Sequence, residues 1–219
     1  MYLRVRQIRR PIDMKKSLKT NRLVLRKLDE NNPYDFFGIV NLFEKRDTAW
    51  WADLLEPILF IDDAREFIHN NNAGGVSLYG IFEKGEPWLL GAIQVVISSY
   101  SNLSYAEVGY ALSYEGRGKG YMTEALRAMC EMLFDMPGMV EVRCHILWFN
   151  ERSVAVAERC GFKPVDEPLN KKEVRLHMDY YLDEYVIKGY EYRRAKEGFD
   201  SSYLDRINAE EDLYEQIAS

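Results

Sequence analysis

The residues of this 219-residue chain with the plainest chemical pattern form one segment: Leu112-Ser113-Tyr114-Glu115-Gly116-Arg117-Gly118-Lys119-Gly120-Tyr121-Met122-Thr123-Glu124-Ala125. It runs from the end of a predicted strand into the start of a predicted helix. The first N–H groups of a helix lack partners within it and carry partial positive charge. Alternating glycines let phosphate oxygens reach that main chain, and Arg117 and Lys119 add charge. Such a segment is a cradle for a diphosphate. Two common versions are excluded. A dinucleotide fingerprint needs glycine where Tyr121 or Thr123 stands, and a Walker A loop needs Ser or Thr after Lys119, where Gly120 stands. Taken as three alternating glycines alone, the segment is equally readable as a flexible basic loop.

Other polar residues have two readings each. Glu107 alternates with Val108 and Tyr110 and points to the opposite face. It is either a solvated strand residue or a general base acting through water. His145, on the neighbouring predicted strand, is a weaker candidate for the same role. Asn150 is placed to cap a helix, and Ser153 falls in that helix's first turn. Trp50 and Trp51, beside Asp53 and Glu56, either pack in a core or receive an ammonium group.

The elements that must hold these residues can be read from periodicity and breaker residues. Residues 1–20 read as an arm, and Leu23-Val24-Leu25 opens a first strand. Asn32-Pro33 starts a helix over 34–43, and a second helix is predicted over 62–70. Strands at 77–82 and 88–97 flank the turn Lys84-Gly85-Glu86-Pro87 and form a hairpin. A strand over 105–112, a helix over 121–134 and a strand over 140–149 make a crossover unit, which places its two strands parallel. Asn150 and Gly161 bracket a further helix. Segments 162–165 and 174–181 are expected to pair as closing strands, and the chain from about 183 reads as helical. The resulting class is a mixed, twisted α/β sheet with helices on both faces and ligands bound beyond the carboxyl ends of the parallel strands.

Composition narrows the functional classes. A net charge of −6 argues against general nucleic-acid binding. No apolar run reaches the roughly 18 residues a membrane helix needs, and no apolar stretch follows the basic N-terminus as in a secretory signal. Three widely spaced cysteines, Cys130, Cys144 and Cys160, read as buried thiols in a reducing cytoplasm. Neither they nor His69, His145 and His177 have metal-ligand spacing. The ends differ in charge: residues 1–20 hold seven Lys or Arg and one Asp, whereas 196–219 hold two and seven acids. The two ends either meet, within one chain or across a homodimer, or are solvated tails.

Arg117-x-x-Gly120-x-Met122 resembles the R/Q-x-x-G-x-G/A motif of the GNAT superfamily of acetyltransferases, which binds the pyrophosphate of coenzyme A. The longer strings Glu107-Val108-Gly109-Tyr110-Ala111-Leu112 and Arg117 to Ala125 are similar to the RimJ/RimL branch, as are Asn150-Glu151-Arg152-Ser153 and Ala157-Glu158-Arg159-Cys160-Gly161-Phe162. Lys19-Thr20-Asn21-Arg22-Leu23-Val24-Leu25-Arg26 resembles the opening of that branch. The likeness covers about residues 14–182. Met122 departs from it, since a small residue is usual there.

The resemblance implies an acetyl-CoA-dependent N-acetyltransferase domain over 14–183, between a basic arm (1–13) and a helical acidic extension (184–219). It implies splayed parallel strands at the cofactor site, acetyl-CoA as cosubstrate and no metal. Main-chain N–H groups of Gly118, Lys119, Gly120, Tyr121 and Met122 would hold the pyrophosphate, aided by Arg117. The strand ending at Leu112 would pair with pantetheine, and the Tyr110 N–H would polarise the thioester carbonyl. Asn150 would bind pantetheine, Ser153 would protonate the leaving thiolate, and Glu107 would act as base. The partner is a primary amine on a peptide or protein N-terminus or a small molecule. The alternative is a non-catalytic acyl-CoA sensor or interaction module of the same fold.

Overall fold

The computed structural model describes residues 14–45, 57–100, 103–147, 149–164, 173–177 and 184–200. Strands β1 (Ser17–Lys19) and β2 (Leu23–Lys27) form a first hairpin. Helices α1 (Pro33–Phe43) and α2 (Ile61–Asn70) follow. The Asn32 side chain accepts the Tyr34 N–H at 3.1 Å, and Pro33 occupies a first-turn position whose N–H would be unpaired in any case. Then come β3 (Val76–Glu83), β4 (Leu89–Tyr100) and β5 (Leu103–Leu112). The unit closes with α3 (Tyr121–Phe134), β6 (Met139–Leu147), α4 (Glu151–Arg159), β7 (Lys163–Pro164), β8 (Glu173–His177) and β9 (Glu184–Ala195).

Among the described residues the strands make one mixed sheet in the order β1-β2-β3-β4-β5-β6-β9-β7, with β8 on β9. The β5–β6 pairing is parallel, and α3 is its crossover helix. The other pairings are antiparallel. The apolar residues divide into two layers. Leu23, Leu25, Tyr79, Ile81, Ile93, Val95, Ala106, Val108, Val142 and Cys144 pack with α3 and α4. Leu28, Leu78, Phe82, Leu89 and Ala92 pack with α1 and α2 on the other face. No helix among the described residues is long and apolar enough to cross a membrane.

The C-terminal part corrects the sequence reading. Glu184–Ala195 is a strand, not the start of a helical extension. It lies between β6 and β7 in the sheet, so the sheet does not end at residue 183. Among the described residues the two expected closing strands do not pair with each other either: β7 and β8 each pair with β9. At the other end, Ser17–Lys19 belongs to the sheet, where the sequence reads as an arm. The basic arm (1–13), the tryptophan segment (48–53) with Glu56, and residues 201–219 of the acidic tail lie outside the described residues.

Candidate functional site

The parallel ladder between β5 and β6 runs only from Ser104↔Met139 to Glu107↔Arg143. Beyond it β5 stays paired with β4 as far as Leu112, and β6 stays paired with β9 as far as Leu147. The two strands therefore part after Glu107 and Arg143. Among the described residues, the edge of Val108–Leu112 that faces β6 is left outside any ladder. Main-chain polar groups of that kind need a partner, and the amides of an extended ligand can supply one.

The open edge leads to the glycine loop. A 3₁₀ turn (Tyr114–Gly116) is followed by Gly118 and Gly120, both with φ of 76°. L side chains rarely adopt that backbone region, which is what these positions require of the sequence. Gly120 caps α3 and has no side chain to bond the first-turn N–H groups. Those groups face an open groove of about 1460 Å³ between α3 and α4, whose walls include Lys19, Arg22, Arg117, Arg127, Arg152 and Arg159. The arrangement suits a polyanion with a diphosphate at its centre.

The remaining predicted residues fall on either side of the parted strands. Arg117 donates from Nε to the Leu112 carbonyl at 3.3 Å, tying the loop back to β5. Tyr121 is buried, and its hydroxyl donates to Glu83 at 2.8 Å, so it packs and orients the helix start. Met122 is 4% exposed and belongs to the core beneath α3. The departure from a small residue is therefore absorbed by packing. Asn150 caps α4, its Oδ1 accepting the Ser153 N–H at 3.1 Å. The Tyr110 hydroxyl donates to the Ser153 carbonyl at 3.0 Å, which fixes the start of α4 against β5. Burial, with the neighbouring Cys144 thiol, raises the Tyr110 phenol pKa, so it stays a donor.

On the opposite face the structure brings together Glu107 and His145, the two candidate bases. His145 Nδ1 lies 2.8 Å from Glu107, and its Nε2 lies 3.1 Å from Glu191 on β9. Burial by itself would lower the imidazole pKa, but the two carboxylates outweigh it and raise it to about 9. At neutral pH His145 is therefore a cation between two anions, and an orienting group more than a base. Glu191 is held down at about 2: burial opposes ionisation, but His145 and Arg193 outweigh it. Arg193 donates to Glu191, and Arg143 stacks 4.2 Å over Tyr105 on the same face.

Glu191 was not singled out from sequence, because β9 itself reads as helical. In the sequence Thr20, Arg22 and Glu124 stand out only as parts of the longer motif strings. Cys130, Cys144 and Cys160 are free and buried, and burial raises all three thiols. A thiolate nucleophile has no support there.

A mixed sheet that opens between two parallel strands, beside a helix whose start has no side-chain cap, suits an extended anionic ligand. The match with known proteins agrees. Residues 22–163 match the family model described as an acetyltransferase (GNAT) domain, and the chain belongs to that family.

A probable N-acetyltransferase, YjcK, of Bacillus subtilis strain 168 is 28% identical over 99 residues. That is 45% of this chain and 54% of YjcK, so the match spans about half the length of this curated relative. Among solved structures, a GNAT-family acetyltransferase from Bacillus anthracis superposes with a TM-score of 0.66 at 22% identity, covering 82% of this chain and 98% of that one. RimL, a ribosomal L7/L12 α-N-protein acetyltransferase solved with coenzyme A, gives 0.64 at 18% identity over 84% and 99%. The fold is thus RimL-like.

Proposed function

We propose that the chain transfers an acetyl group from acetyl-CoA to a primary amine. The observation that carries this reading is the open edge of Val108–Leu112 running into the bare first turn of α3 inside a cationic groove. Pantetheine pairs with that edge. The diphosphate takes the N–H groups of Gly118 to Met122, and Arg117 and Lys119 add charge. A RimL of the same fold is solved with coenzyme A, which supports coenzyme A as the ligand.

The thioester lies in the plane of the sheet, with its carbonyl on the Tyr110 N–H. Glu107 sits on the face shared with α1 and α2, and Ser153 sits on the side of α4. The amine attacks from the Glu107 side, and the thiolate leaves toward the Ser153 hydroxyl, which protonates it and recovers its proton from solvent, into which the amine's proton is released. Glu107 lies three residues before Tyr110, about 10 Å along the strand, so it takes the amine's proton through water. The Asn150 Nδ2 group, left over from capping, binds pantetheine. The thiol is a far better leaving group than an amide anion, so modest acid help suffices.

The preferred acceptor is an α-amine. With a pKa near 7.8 it is roughly 10–15% neutral at pH 7, whereas a lysine amine near 10.4 is about 0.04% neutral. A carboxylate next to a cationic His145 is a weak base, which suits the first and not the second. Names among the structural neighbours, such as RimL, point the same way. The buried free thiols fit a reducing compartment, the cytoplasm. The test is coenzyme A release over peptides with free N-termini, blocked peptides carrying lysine, polyamines and aminosugars, with product mass mapping. Turnover of free N-termini is expected. Turnover of blocked lysine peptides or polyamines alone overturns the α-amine assignment, and acetyl-CoA binding without turnover of any amine indicates a sensor.

A further inference from the structure

Glu124 stands in the first turn of α3, and its side chain is 19% exposed. A carboxylate there suits a helix N-terminus that has no other anion. It opposes a diphosphate at the same place. The structure answers that conflict from 102 residues upstream, where the turn between β1 and β2 grips the carboxylate. The Thr20 hydroxyl donates to Glu124 at 2.6 Å, the Arg22 main-chain N–H at 2.8 Å and the Arg22 Nε at 2.7 Å. Burial would raise the Glu124 pKa, but the Thr20 and Arg22 bonds outweigh it and lower it. The rest of the guanidinium reaches the cradle itself. Nη1 donates to the Lys119 carbonyl at 2.9 Å, and the group lies 4.7 Å over the Tyr121 ring. Nη2 lies 3.6 Å from the point where a Cβ would sit on Gly120. Arg22 also forms part of the groove wall.

We propose that Arg22 is a diphosphate-binding residue of this site: it cancels the charge of Glu124 and offers Nη2 to the phosphate oxygens beside Gly120. Thr20 positions Glu124 so that Arg22 is held in that pose. The turn between β1 and β2, far from the glycine loop in sequence, thereby sets cofactor affinity. This rests on the acetyl-CoA reading above.

The two sides of the contact have opposite consequences. Removing Arg22 loses a charge-assisted donor and leaves Glu124 facing the diphosphate. Removing the charge of Glu124 leaves Arg22 free to act on the ligand. The experiment measures calorimetric affinity for acetyl-CoA and steady-state KM for acetyl-CoA and acetyl-pantetheine, which lacks the diphosphate. The proteins are wild type, Arg22→Ala, Arg22→Gln, Glu124→Gln and the double variant Arg22→Ala/Glu124→Gln. Both Arg22 variants are expected to weaken acetyl-CoA about 10- to 100-fold, with KM for acetyl-pantetheine within about twofold of wild type. Glu124→Gln is expected to bind acetyl-CoA as tightly as wild type or tighter, and the double variant to recover part of the loss. Arg22→Gln keeps a stem over Tyr121, so it covers the case in which Arg22→Ala fails to fold. Equal weakening by Glu124→Gln and Arg22→Gln would make the contact merely structural and overturn the proposal, as would equal loss with acetyl-pantetheine. Wild-type protein that binds no acetyl-CoA overturns the cofactor reading and this inference together.

Discussion

The two faces of β5, β6 and β9 are made differently. One buries Ala106, Val108, Val142, Cys144, Ile146 and Tyr192 against α3 and α4. The other carries Glu107, Glu141, Arg143, His145, Glu191 and Arg193, linked by hydrogen bonds and ion pairs across three strands. The apolar face fixes where the strands part and holds α3 so that its first turn meets the groove. On the proposed function that side works through main-chain groups, loop charge and the side chains of Arg22, Asn150 and Ser153. The polar face works through side chains. On the proposed function, binding of the acyl carrier and handling of the acceptor's proton fall on different faces and should be separable by mutation.

The largest effect is expected on the carrier side. Gly120→Glu puts a side chain at a φ of 76° and a negative charge into the cradle. Acetyl-CoA affinity should fall by about 100-fold or more, with the circular dichroism spectrum unchanged. Calorimetry on the folded variant giving near-wild-type affinity would remove the cradle from this loop.

Ser153→Ala comes next. A hydroxyl that acts on the departing sulfur matters most in the transition state, so kcat should drop by about 100-fold with KM for acetyl-CoA little changed. An unchanged kcat, with chemistry shown to be rate-limiting, reduces Ser153 to a helix-start residue.

Glu107→Gln tests the other face. Free N-termini should lose about tenfold in kcat/KM, because the amine is already partly neutral, and lysine-type amines should lose more. Equal loss on both acceptor types contradicts the base role.

The smallest effect is on stability. His145 is raised from 6.5 to about 9 by Glu107 and Glu191, against the pull of burial. A folded pKa above the unfolded one adds stability that is complete below about pH 6.5 and is lost as pH rises through about 9. Denaturant midpoints should fall over that window in wild type and fall less in Glu107→Gln. Identical slopes for the two proteins would show that the pair does not couple.

Much of the sheet and of the local geometry of the candidate site was legible in the sequence, because both rest on strong local signals. Strict alternation from Val140 to Ile146, the three-turn apolar stripe of α3, the Asn150 cap and the positive-φ glycine at 161 each sit where periodicity and capping place them. What was not legible depends on partners distant in sequence. β9 carries Glu, Lys and Arg among its tyrosines, and these charges blur the alternation into a helical look. The cause is visible at Glu191 and Arg193, which serve the polar face of the sheet while Tyr192 enters the core. The grip of Thr20 and Arg22 on Glu124 was equally silent, since no local pattern joins residues 102 apart. Glu107 and His145 were both suspected, but only the register of β5 and β6 shows that one holds the other.

The place of β9 also bears on how the protein is made. Its residues pair with β6 along Glu141↔Ala195 to Leu147↔Gly189, and among the described residues β7 joins the sheet through it. During synthesis the chain emerges from its N-terminus, so β6 waits with one edge bare until residue 195 has left the ribosome. In that interval the nascent sheet offers an unsatisfied strand edge, the kind of surface that recruits chaperones or other nascent chains. Completion of the sheet is thus a late event, and a chain cut at residue 183 would remain at that stage.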